Sequence, residues 1–285
     1  MNICIVGLGL LGGSTALGLK AKDSSYRIIG VDSNRDHAAR ALLGEIADKI
    51  MTLEKAVLIA DVTILATPVN VILKQLPKVL DILPRNAVLI DLGSTKELIC
   101  QSVSNHPKRG QYVAAHPIAG TEHSGPDAAF AELLPGKQMI LCERERSGIE
   151  ALEMVENLFK LKLNMRMSYM DPAAHDRHIA YVSHLSHISS FALSTTVLDK
   201  EKDEFSIFEM AGSGFSSTVR LAKSSAKMWA PIFTQNTKNI SSALGAYIKN
   251  LQRFKDMIDA QDEAASKQEI TRANDIKRIL SGIDK

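Results

Sequence analysis

The glycine pattern near the start of the chain constrains the fold more than any other feature of the sequence. Gly7, Gly9 and Gly12 form a GxGxxG arrangement that follows a short apolar run at residues 2–6 and opens a helical pattern. Asp32 ends a second apolar run, 20 residues after Gly12. A strand, a glycine turn, a helix and an acidic residue in this order are typical of a Rossmann unit that binds a dinucleotide.

Each part of this pattern has a physical role. Gly7 permits a tight turn, Gly9 lets the backbone approach a pyrophosphate, and Gly12 lets the helix pack closely on the strand. The first turn of that helix, which contains Leu10 and Leu11, presents free N–H groups to the phosphates. These five residues are therefore expected cofactor contacts.

The acidic residue indicates which dinucleotide is bound. The Asp32 carboxylate can accept hydrogen bonds from the ribose hydroxyls and would repel a 2′-phosphate, which favours NAD over NADP. Arg35 is close enough in sequence to weaken that preference, although a surface position is the simpler interpretation. Thr67 and Pro68 follow another predicted strand and complete the expected NAD-binding set.

Short apolar runs alternate with helical patterns as far as residue 170. The runs lie at residues 2–6, 27–31, 62–66, 87–90, 112–115, 139–142 and 162–169, and the helical patterns at 12–20, 35–43, 69–82, 95–103 and 147–159. Near-continuous apolar runs are typical of strands buried on both faces of a parallel sheet. We therefore expect an α/β fold, with a doubly wound parallel sheet in a dinucleotide-binding domain of residues 1–170.

The pattern changes at Asp171 and Pro172, which suit the N-cap and the first turn of a helix. No convincing strand follows, and helical patterns cover residues 172–198, 216–223, 228–251 and 252–280. The sequence thus predicts a second, all-helical domain of residues 171–285.

Composition and charge argue against several classes of protein. The 34 basic and 32 acidic residues nearly balance and form no basic stripe, so we expect no nucleic-acid partner. No apolar run reaches the roughly 18 residues of a membrane span, so we expect no membrane association. The three cysteines form no CxxC pair, which fits a reducing compartment and predicts a cytoplasmic protein.

Candidate catalytic residues follow the predicted strands, because ligands bind outside the carboxyl ends of a parallel sheet. His116 follows the run at residues 112–115, and Ser94 follows the run at 87–90. A histidine here can accept the proton of an alcohol while hydride leaves the same carbon, and a neighbouring serine can orient it. A lone histidine is more often structural, so these positions alone leave the reaction open.

Four longer segments resemble one family over nearly the whole chain. They are DLGSTKE at residues 91–97, HPIAGTEHSG at 116–125, SHLSH at 183–187 and GFSSTVRLAKSSAKMW at 214–229. In this order they resemble the prephenate/arogenate dehydrogenases of tyrosine biosynthesis. The resemblance implies NAD-dependent oxidative decarboxylation of prephenate to 4-hydroxyphenylpyruvate, with His116 as the base and Ser94 orienting it. It implies no metal or second cofactor.

The resemblance also implies a substrate site for a small dianion. Arg220 matches the arginine that holds a carboxylate, His187 and Thr121 match residues that line the pocket, and Glu122 is a possible ionic partner of Arg220. Trp229 matches a tryptophan that comes from the other subunit, so the resemblance implies a homodimer.

Departures and alternatives remain. Ser216 and Ser217 stand where family members commonly have Arg-Asp, which puts a fuller ionic network around Arg220 in doubt. Arogenate, which carries an amino group in place of the keto group, is an alternative substrate. A 3-hydroxyacid dehydrogenase would use a lysine such as Lys223 or Lys227, and an NADH sensor would need no catalytic residues.

Two further expectations concern metal and regulation. Histidines 175, 178, 184 and 187 have helical spacing, but no carboxylate or cysteine pattern completes a ligand set, so we expect no metal. We expect no chorismate mutase domain before the first strand and no regulatory ACT domain of ~70 residues after the helices. Any feedback by tyrosine would then act at the active site.

Overall fold

A computed structural model describes residues 1–201 and 205–279 of the chain. Internal contacts divide the protein into two compact units, Met1–Thr237 and Lys238–Lys285. Every candidate site residue belongs to the first unit. The predicted domain boundary near residue 170 stays a prediction, and the last six residues of the predicted helical domain, 280–285, lie outside the described residues.

One eight-stranded sheet forms the centre of the first unit. Its strands are β1 (Asn2–Val6), β2 (Arg27–Val31), β3 (Lys49–Ile50), β4 (Val62–Leu65), β5 (Val88–Asp91), β6 (Tyr112–Ile118), β7 (Gln138–Cys142) and β8 (Arg166–Met170). Their order across the sheet is β3-β2-β1-β4-β5-β6-β7-β8. The strand order reverses between β1 and β4, and such a switch point opens a crevice for a ligand at the carboxyl ends.

Twelve α-helices lie within the described residues. They are α1 (Leu10–Lys22), α2 (Arg35–Leu43), α3 (Leu53–Ile59), α4 (Val69–Ile82), α5 (Glu97–Ser102), α6 (Ile149–Val155), α7 (Pro172–Ile179), α8 (Leu185–Glu201), α9 (Ser213–Val219), α10 (Ala226–Gln235), α11 (Thr237–Asp259) and α12 (Glu263–Ala273). Asp171 caps α7 by accepting a hydrogen bond from the Ala174 N–H, as its sequence position predicts. None of the described helices is long and apolar enough to cross a membrane.

The core explains why the strands are so apolar. Ile3 and Ile5 of β1 belong to one buried cluster, whereas Cys4 and Val6 belong to another. Because successive side chains of a strand point to opposite faces, β1 is covered on both sides. The predicted α/β sheet with flanking helices is thereby confirmed.

The last two strands differ in direction from the first six. β6 pairs with β7 in antiparallel register, with His116 opposite Ile140, and β8 is parallel to β7. The connection from β6 to β7 contains only the short 3-10 turns Pro126–Ala128 and Ala131–Leu133. A parallel neighbour needs a crossover that is usually a helix, whereas an antiparallel one does not, so the missing helix accounts for the reversal.

Several element boundaries predicted from the pattern are wrong. The strand predicted at 162–169 begins only at Arg166, because Glu156–Lys162 is a π-helical continuation of α6 and Leu163 packs in the core. The apolar pattern of the sequence predicts neither the short β3 nor α3. The helix predicted at 172–198 contains a π-helical turn, Ala180–His184.

The two long C-terminal helices are also divided differently. The helix predicted at 228–251 is interrupted at Asn236, whose side chain donates to the Asp176 carbonyl oxygen over 2.7 Å. The helix predicted at 252–280 has no start at residue 252, because α11 continues to Asp259. The break comes at residues 260–262, where Gln261 has a left-handed backbone, and Leu280 lies outside the described residues.

The glycine turn yields a prediction that separates fold from ligand binding. A methyl group on Gly12 would lie 2.0 Å from the Gly7 carbonyl oxygen, whereas one on Gly9 would meet nothing within 4 Å. We expect Gly12→Ala to lower the free energy of unfolding by about 1–3 kcal/mol, the range for overpacking. Gly9→Ala should keep the wild-type melting temperature and weaken NADH binding, because its methyl enters the open side of the turn. Thermal melting and NADH fluorescence titration measure both; equal melting temperatures for the two variants would contradict this assignment.

Candidate active site

The glycine turn lies between the carboxyl ends of three neighbouring strands. The Gly7 N–H donates to the Val31 carbonyl oxygen of β2 over 2.8 Å, and its φ of 95° is one that glycine adopts without strain. On the other side, a Cβ at Gly7 would lie 2.7 Å from the Ala66 carbonyl oxygen and 3.0 Å from Thr67 Cγ2. Only glycine therefore fits at this position.

The same turn offers polar groups to a dinucleotide. The hydroxyl oxygen of Thr67, which follows β4, is buried and has no hydrogen-bond partner within the described ranges. Gly9 precedes α1 without capping it through a side chain, which leaves the first N–H groups of that helix, at Leu10 and Leu11, free for phosphate oxygens. Pro68 precedes α4 and is exposed. These features fit NAD.

Asp32 joins the first two strand ends. Its Oδ2 accepts a hydrogen bond from the Leu8 N–H over 2.9 Å, and its Oδ1 accepts one from the Asn34 N–H over 2.8 Å. Each carboxylate oxygen has further acceptor capacity, so the ribose hydroxyls can still bind there. Arg35 is exposed at the start of α2, in agreement with the surface interpretation.

His116 lies in the last part of β6 and is buried, with 9% of its surface exposed. Its Nδ1 is 2.8 Å from Nε2 of His175 in α7. The other nitrogen of His175, Nδ1, is 2.8 Å from Oδ1 of Asp176. A chain of three buried side chains thus runs from α7 to the strand end.

Asp176 fixes this chain to the start of α5. Its two carboxylate oxygens accept hydrogen bonds from the Lys96 N–H over 2.7 Å and from the Glu97 N–H over 3.0 Å. These N–H groups belong to the unpaired first turn of a helix, where a carboxylate is a favourable partner. The histidine pair is therefore held by backbone groups at one end and by a strand at the other.

The Lys96 side chain is fully buried beneath the site. Its ammonium forms an ion pair with Asp91 and donates to the Ala115 carbonyl oxygen over 2.8 Å. The Tyr112 hydroxyl donates to the second oxygen of Asp91 over 2.5 Å. Burial and then the Asp91 charge raise the pKa of Tyr112 well above its ordinary value, so this hydroxyl keeps its proton. Together, the side chains of Lys96, Asp91 and Tyr112 connect the end of β5 to β6.

The surroundings of His116 favour its neutral form. Burial is the largest cause that lowers its pKa well below the ordinary value, followed by the nearby His175, Lys96 and His184. Ser94 lies partly exposed in the turn after β5, and no hydrogen bond joins it to His116 in the part of the chain that the structure describes. The ring partner that the structure gives His116 is His175, and the orienting role expected of Ser94 stays a prediction.

A second group of candidate residues lies on the helices that follow α7. The ring of His187 stacks on that of Trp229, with centroids 3.7 Å apart. Nδ1 of His187 is 3.0 Å from the Ser183 carbonyl oxygen, so this nitrogen is the donor and Nε2 of the neutral ring carries a lone pair. Burial lowers the pKa of His187. His184 connects the two groups, because its ring lies edge-on to Trp229 at 5.8 Å and its Nδ1 is 3.2 Å from Asn236, which donates to the Asp176 carbonyl oxygen. Burial lowers the pKa of His184 to about 4, so this ring is neutral.

Arg220 and Glu122 form the predicted ion pair. Nη1 of Arg220 donates to Oε2 of Glu122 over 2.7 Å, and about half of the Arg220 side chain, 51%, is exposed. The Glu122 backbone N–H and the arginine hold the pKa of Glu122 below its ordinary value. Thr121 is exposed beside it and accepts a hydrogen bond from the His123 N–H. Thr121 and Glu122 follow β6, the strand that carries His116, and the Arg220 charge acts on His187, whose pKa is lowered by burial and then by this charge.

Trp229 contacts residues of its own chain. It is 5% exposed and packs on His184, His187 and Phe233. The hydrogen bond from Asn236 to the Asp176 carbonyl holds the end of α10 against α7, which accounts for this position. The structure thus places Trp229 beside His187 of the same chain, while the resemblance implies that it serves the partner.

Comparison with known proteins assigns the family. The sequence matches the family description "Prephenate dehydrogenase, nucleotide-binding domain" over residues 15–167 and "Prephenate dehydrogenase, dimerization domain" over residues 171–270. The chain belongs to the prephenate dehydrogenase family. The predicted family and fold class are confirmed, as is the assignment to the NAD-dependent dehydrogenases.

Individual members of the prephenate dehydrogenase family are similar over most of the chain. A prephenate dehydrogenase of Bacillus subtilis is 32% identical over 92% of this chain and 71% of its own. The crystal structure of Aquifex aeolicus prephenate dehydrogenase, in complex with hydroxyphenyl propionate and NAD+, has 30% identity and a TM-score of 0.86, covering 98% of both chains. Synechocystis arogenate dehydrogenase has 26% identity and a TM-score of 0.76 over 98% of this chain and 100% of its own.

Sequence reasoning missed the buried partners of His116 in this family member. Lys96 lies inside the DLGSTKE segment, of which the sequence analysis assigns a role only to the serine. The spacing of His175 to the other histidines indicates only a shared helix. Asp176 is a signal that the sequence does offer. An acidic residue that directly follows a histidine in the first turn of a helix can accept a hydrogen bond from that ring.

The protonation of His116 can be tested without any substrate. Because burial and neighbouring positive charges oppose protonation, we expect His116 to stay neutral as the pH falls below about 6.5, the ordinary pKa of histidine. The ¹³C–¹H signal of the ring, assigned by its loss in His116→Asn, reports the titration, with N-acetylhistidine in the same buffer as the reference. A midpoint at or above that of the reference would contradict the expected direction.

Proposed function

We propose that this protein oxidises prephenate with NAD+ to 4-hydroxyphenylpyruvate, CO₂ and NADH. The observation that carries the proposal is the position of His116, a buried and neutral imidazole at the carboxyl end of a strand in a nucleotide-binding sheet. Arg220, which suits a carboxylate, is hydrogen-bonded to Glu122 on the loop that follows the strand of His116. A proton acceptor and a carboxylate anchor beside a dinucleotide site are what this reaction requires.

His116 takes part in the first half of the reaction. NAD+, held by the glycine turn and Asp32, would supply the acceptor for the hydride that leaves ring carbon C4 of the substrate. The hydroxyl on that carbon loses its proton to His116 as its C–O bond becomes a carbonyl, so no positive charge accumulates on oxygen. A buried neutral imidazole is ready for this transfer without first losing a proton. Ser94, in the turn after β5, is proposed to hold the same hydroxyl.

The second half needs less from the protein. The bond from the ring to its carboxylate breaks, its electron pair enters the ring, and CO₂ leaves as the ring becomes aromatic. The oxygen at C4 then takes back the proton held by His116, so the pair of steps has no net proton change. Aromatisation supplies the driving force, and the histidine returns to its starting state.

Arg220 is the proposed anchor for a substrate carboxylate. Within the described residues its guanidinium donates only to Glu122, and the remaining N–H groups face solvent. A planar guanidinium can hold a carboxylate through two parallel hydrogen bonds. His187, Thr121 and Trp229 are proposed to line the same pocket.

Arogenate is a second candidate substrate. It replaces the side-chain keto group of prephenate with an ammonium group. Nε2 of neutral His187 is a hydrogen-bond acceptor, because Nδ1 donates to the Ser183 carbonyl, and an acceptor suits an ammonium group. The rival lysine mechanism has less support, because Lys223 and Lys227 are both exposed.

We also propose that the chain is a homodimer. The description "dimerization domain" for residues 171–270 supports this assembly. Light scattering of the purified protein tests the assembly, and a monomer at micromolar concentration would count against it.

Ser216 and Ser217 lie in α9, the helix that precedes Arg220. Neither serine can supply the charge that family members commonly have at these positions.

The proposed reaction is tested by NADH formation with prephenate or arogenate, each combined with NAD+ or NADP+. We expect turnover with prephenate and NAD+. His116→Asn should lower kcat by roughly 10²–10⁴-fold, the range for a lost general base, with little change in NADH affinity. Wild-type protein that binds NADH but converts neither substrate would refute the proposal and favour the sensor alternative. Normal turnover by His116→Asn would remove the role of the histidine.

Arg220 is tested by its effect on substrate affinity. We expect Arg220→Ala to raise KM for prephenate much more than it lowers kcat, because the lost contact is made to the substrate before the reaction. Arg85→Ala removes an exposed arginine after α4 and serves as the matched control. An unchanged KM in Arg220→Ala, or an equal rise in the control, would show that Arg220 is no anchor.

A further inference from the structure

The hydrogen bonds around His116 determine which of its ring nitrogens can accept a proton. We propose that His175 and Asp176 are positioning residues that fix His116 as its Nδ1–H tautomer, so that Nε2 is the atom that accepts the substrate proton. The catalytic consequence rests on the proposed function, whereas the tautomer itself does not. A neutral imidazole has one donor and one acceptor nitrogen, and the partner of one nitrogen sets the role of the other.

The assignment starts at Asp176. Its carboxylate is 2% exposed and accepts hydrogen bonds from the Lys96 and Glu97 N–H groups. Two backbone donors directed at its two oxygens require those oxygens to be acceptors. Nδ1 of His175, 2.8 Å from Oδ1, must therefore carry a hydrogen and donate it.

The next step follows from the chemistry of imidazole. With its hydrogen on Nδ1, a neutral His175 has a lone pair on Nε2. This lone pair lies 2.8 Å from Nδ1 of His116, so Nδ1 of His116 must be the donor. Nε2 of His116 then carries the free lone pair. The same logic operates where a buried aspartate holds the catalytic histidine of a serine protease in its working tautomer.

The opposite arrangement needs an additional positive charge. If Nδ1 of His116 were the acceptor, His175 would have to be an imidazolium that donates from both nitrogens. The groups that face His116 are the Lys96 ammonium below the strand end, His175 of α7 and His184 of the π-helical turn, and none of them is an anion. Asp176 reaches the site only through His175, and Asp91 is paired with Lys96. The groups around His116 therefore oppose a further cation beside it, and Asp176, the anion in contact with His175, already accepts hydrogen bonds from two backbone N–H groups.

Substitution of His175 separates a positioning role from a purely structural one. In His175→Gln, the side-chain carbonyl oxygen can accept from Nδ1–H of His116 and preserve the tautomer. In His175→Leu, no acceptor remains, and the two tautomers of His116 should coexist. We expect kcat to fall by roughly 10–100-fold in His175→Leu, the usual effect of losing a residue that orients a functional histidine, and to recover most of that loss in His175→Gln. Both variants should bind NADH as the wild type does.

The tautomer is read directly from the wild-type protein. Long-range ¹H–¹⁵N spectra of protein labelled at histidine distinguish a protonated from an unprotonated ring nitrogen, and the loss of signals in His116→Asn assigns them. We expect protonated Nδ1 and unprotonated Nε2 for His116 in the wild type and in His175→Gln. Protonated Nε2 in the wild type would overturn the proposal, even if neither variant folds. An unchanged tautomer and unchanged kcat in His175→Leu would also overturn it.

The same data separate this inference from the proposed function. If the spectra show the expected tautomer and neither prephenate nor arogenate is converted, the proposed reaction fails and the hydrogen-bond chain stands. If the wild type turns over prephenate with Nε2 of His116 protonated, the reaction stands and the chain from Asp176 does not orient its base.

Discussion

The buried ammonium of Lys96 joins the sheet to the active site. It binds the Asp91 carboxylate and the Ala115 carbonyl oxygen, and the Tyr112 hydroxyl satisfies the other carboxylate oxygen. Burying two charges carries a large desolvation penalty, which only such complete hydrogen bonding can offset. Because removal of one partner from a buried pair typically costs about 3–5 kcal/mol, the ends of β5 and β6 cannot separate without a comparable loss. His116 is the residue directly after Ala115, so its backbone is held in place by the same ion pair.

The backbone of Lys96 extends this constraint to the helices. Its N–H binds Asp176, which binds His175, which in turn binds His116. The connections therefore form a closed ring from β5 through α5 and α7 to β6. A side chain held both through its own strand and through a partner on another element has little freedom to adopt a different rotamer or tautomer. Precise support of this kind keeps a proton acceptor in its productive geometry.

How much of this the sequence could predict depends on how local the contacts are. The requirements of the glycine turn lie within one βαβ unit, and Gly7, Gly12 and Asp32 take the positions that their spacing indicates. The contact between Lys96 and Asp176 joins residues 80 positions apart. No periodicity or spacing connects such residues, so the partners of His116 needed the three-dimensional structure. The π-helical turn Ala180–His184 could not be predicted from the sequence either, because its residues fit an ordinary helical pattern.

The two halves of the proposed site differ in how easily they can rearrange. Arg220 is half exposed, and ion pairs in contact with water contribute little to stability, so a substrate carboxylate can replace or share Glu122 without a large loss. His116 belongs to a buried ring of hydrogen bonds whose disruption leaves charged groups unpaired. The ion pair of Glu122 can therefore be exchanged for a substrate carboxylate, while the proposed proton acceptor a few residues earlier stays fixed. This difference in burial lets one short stretch of chain provide both the adaptable substrate contact and the rigid base that we propose.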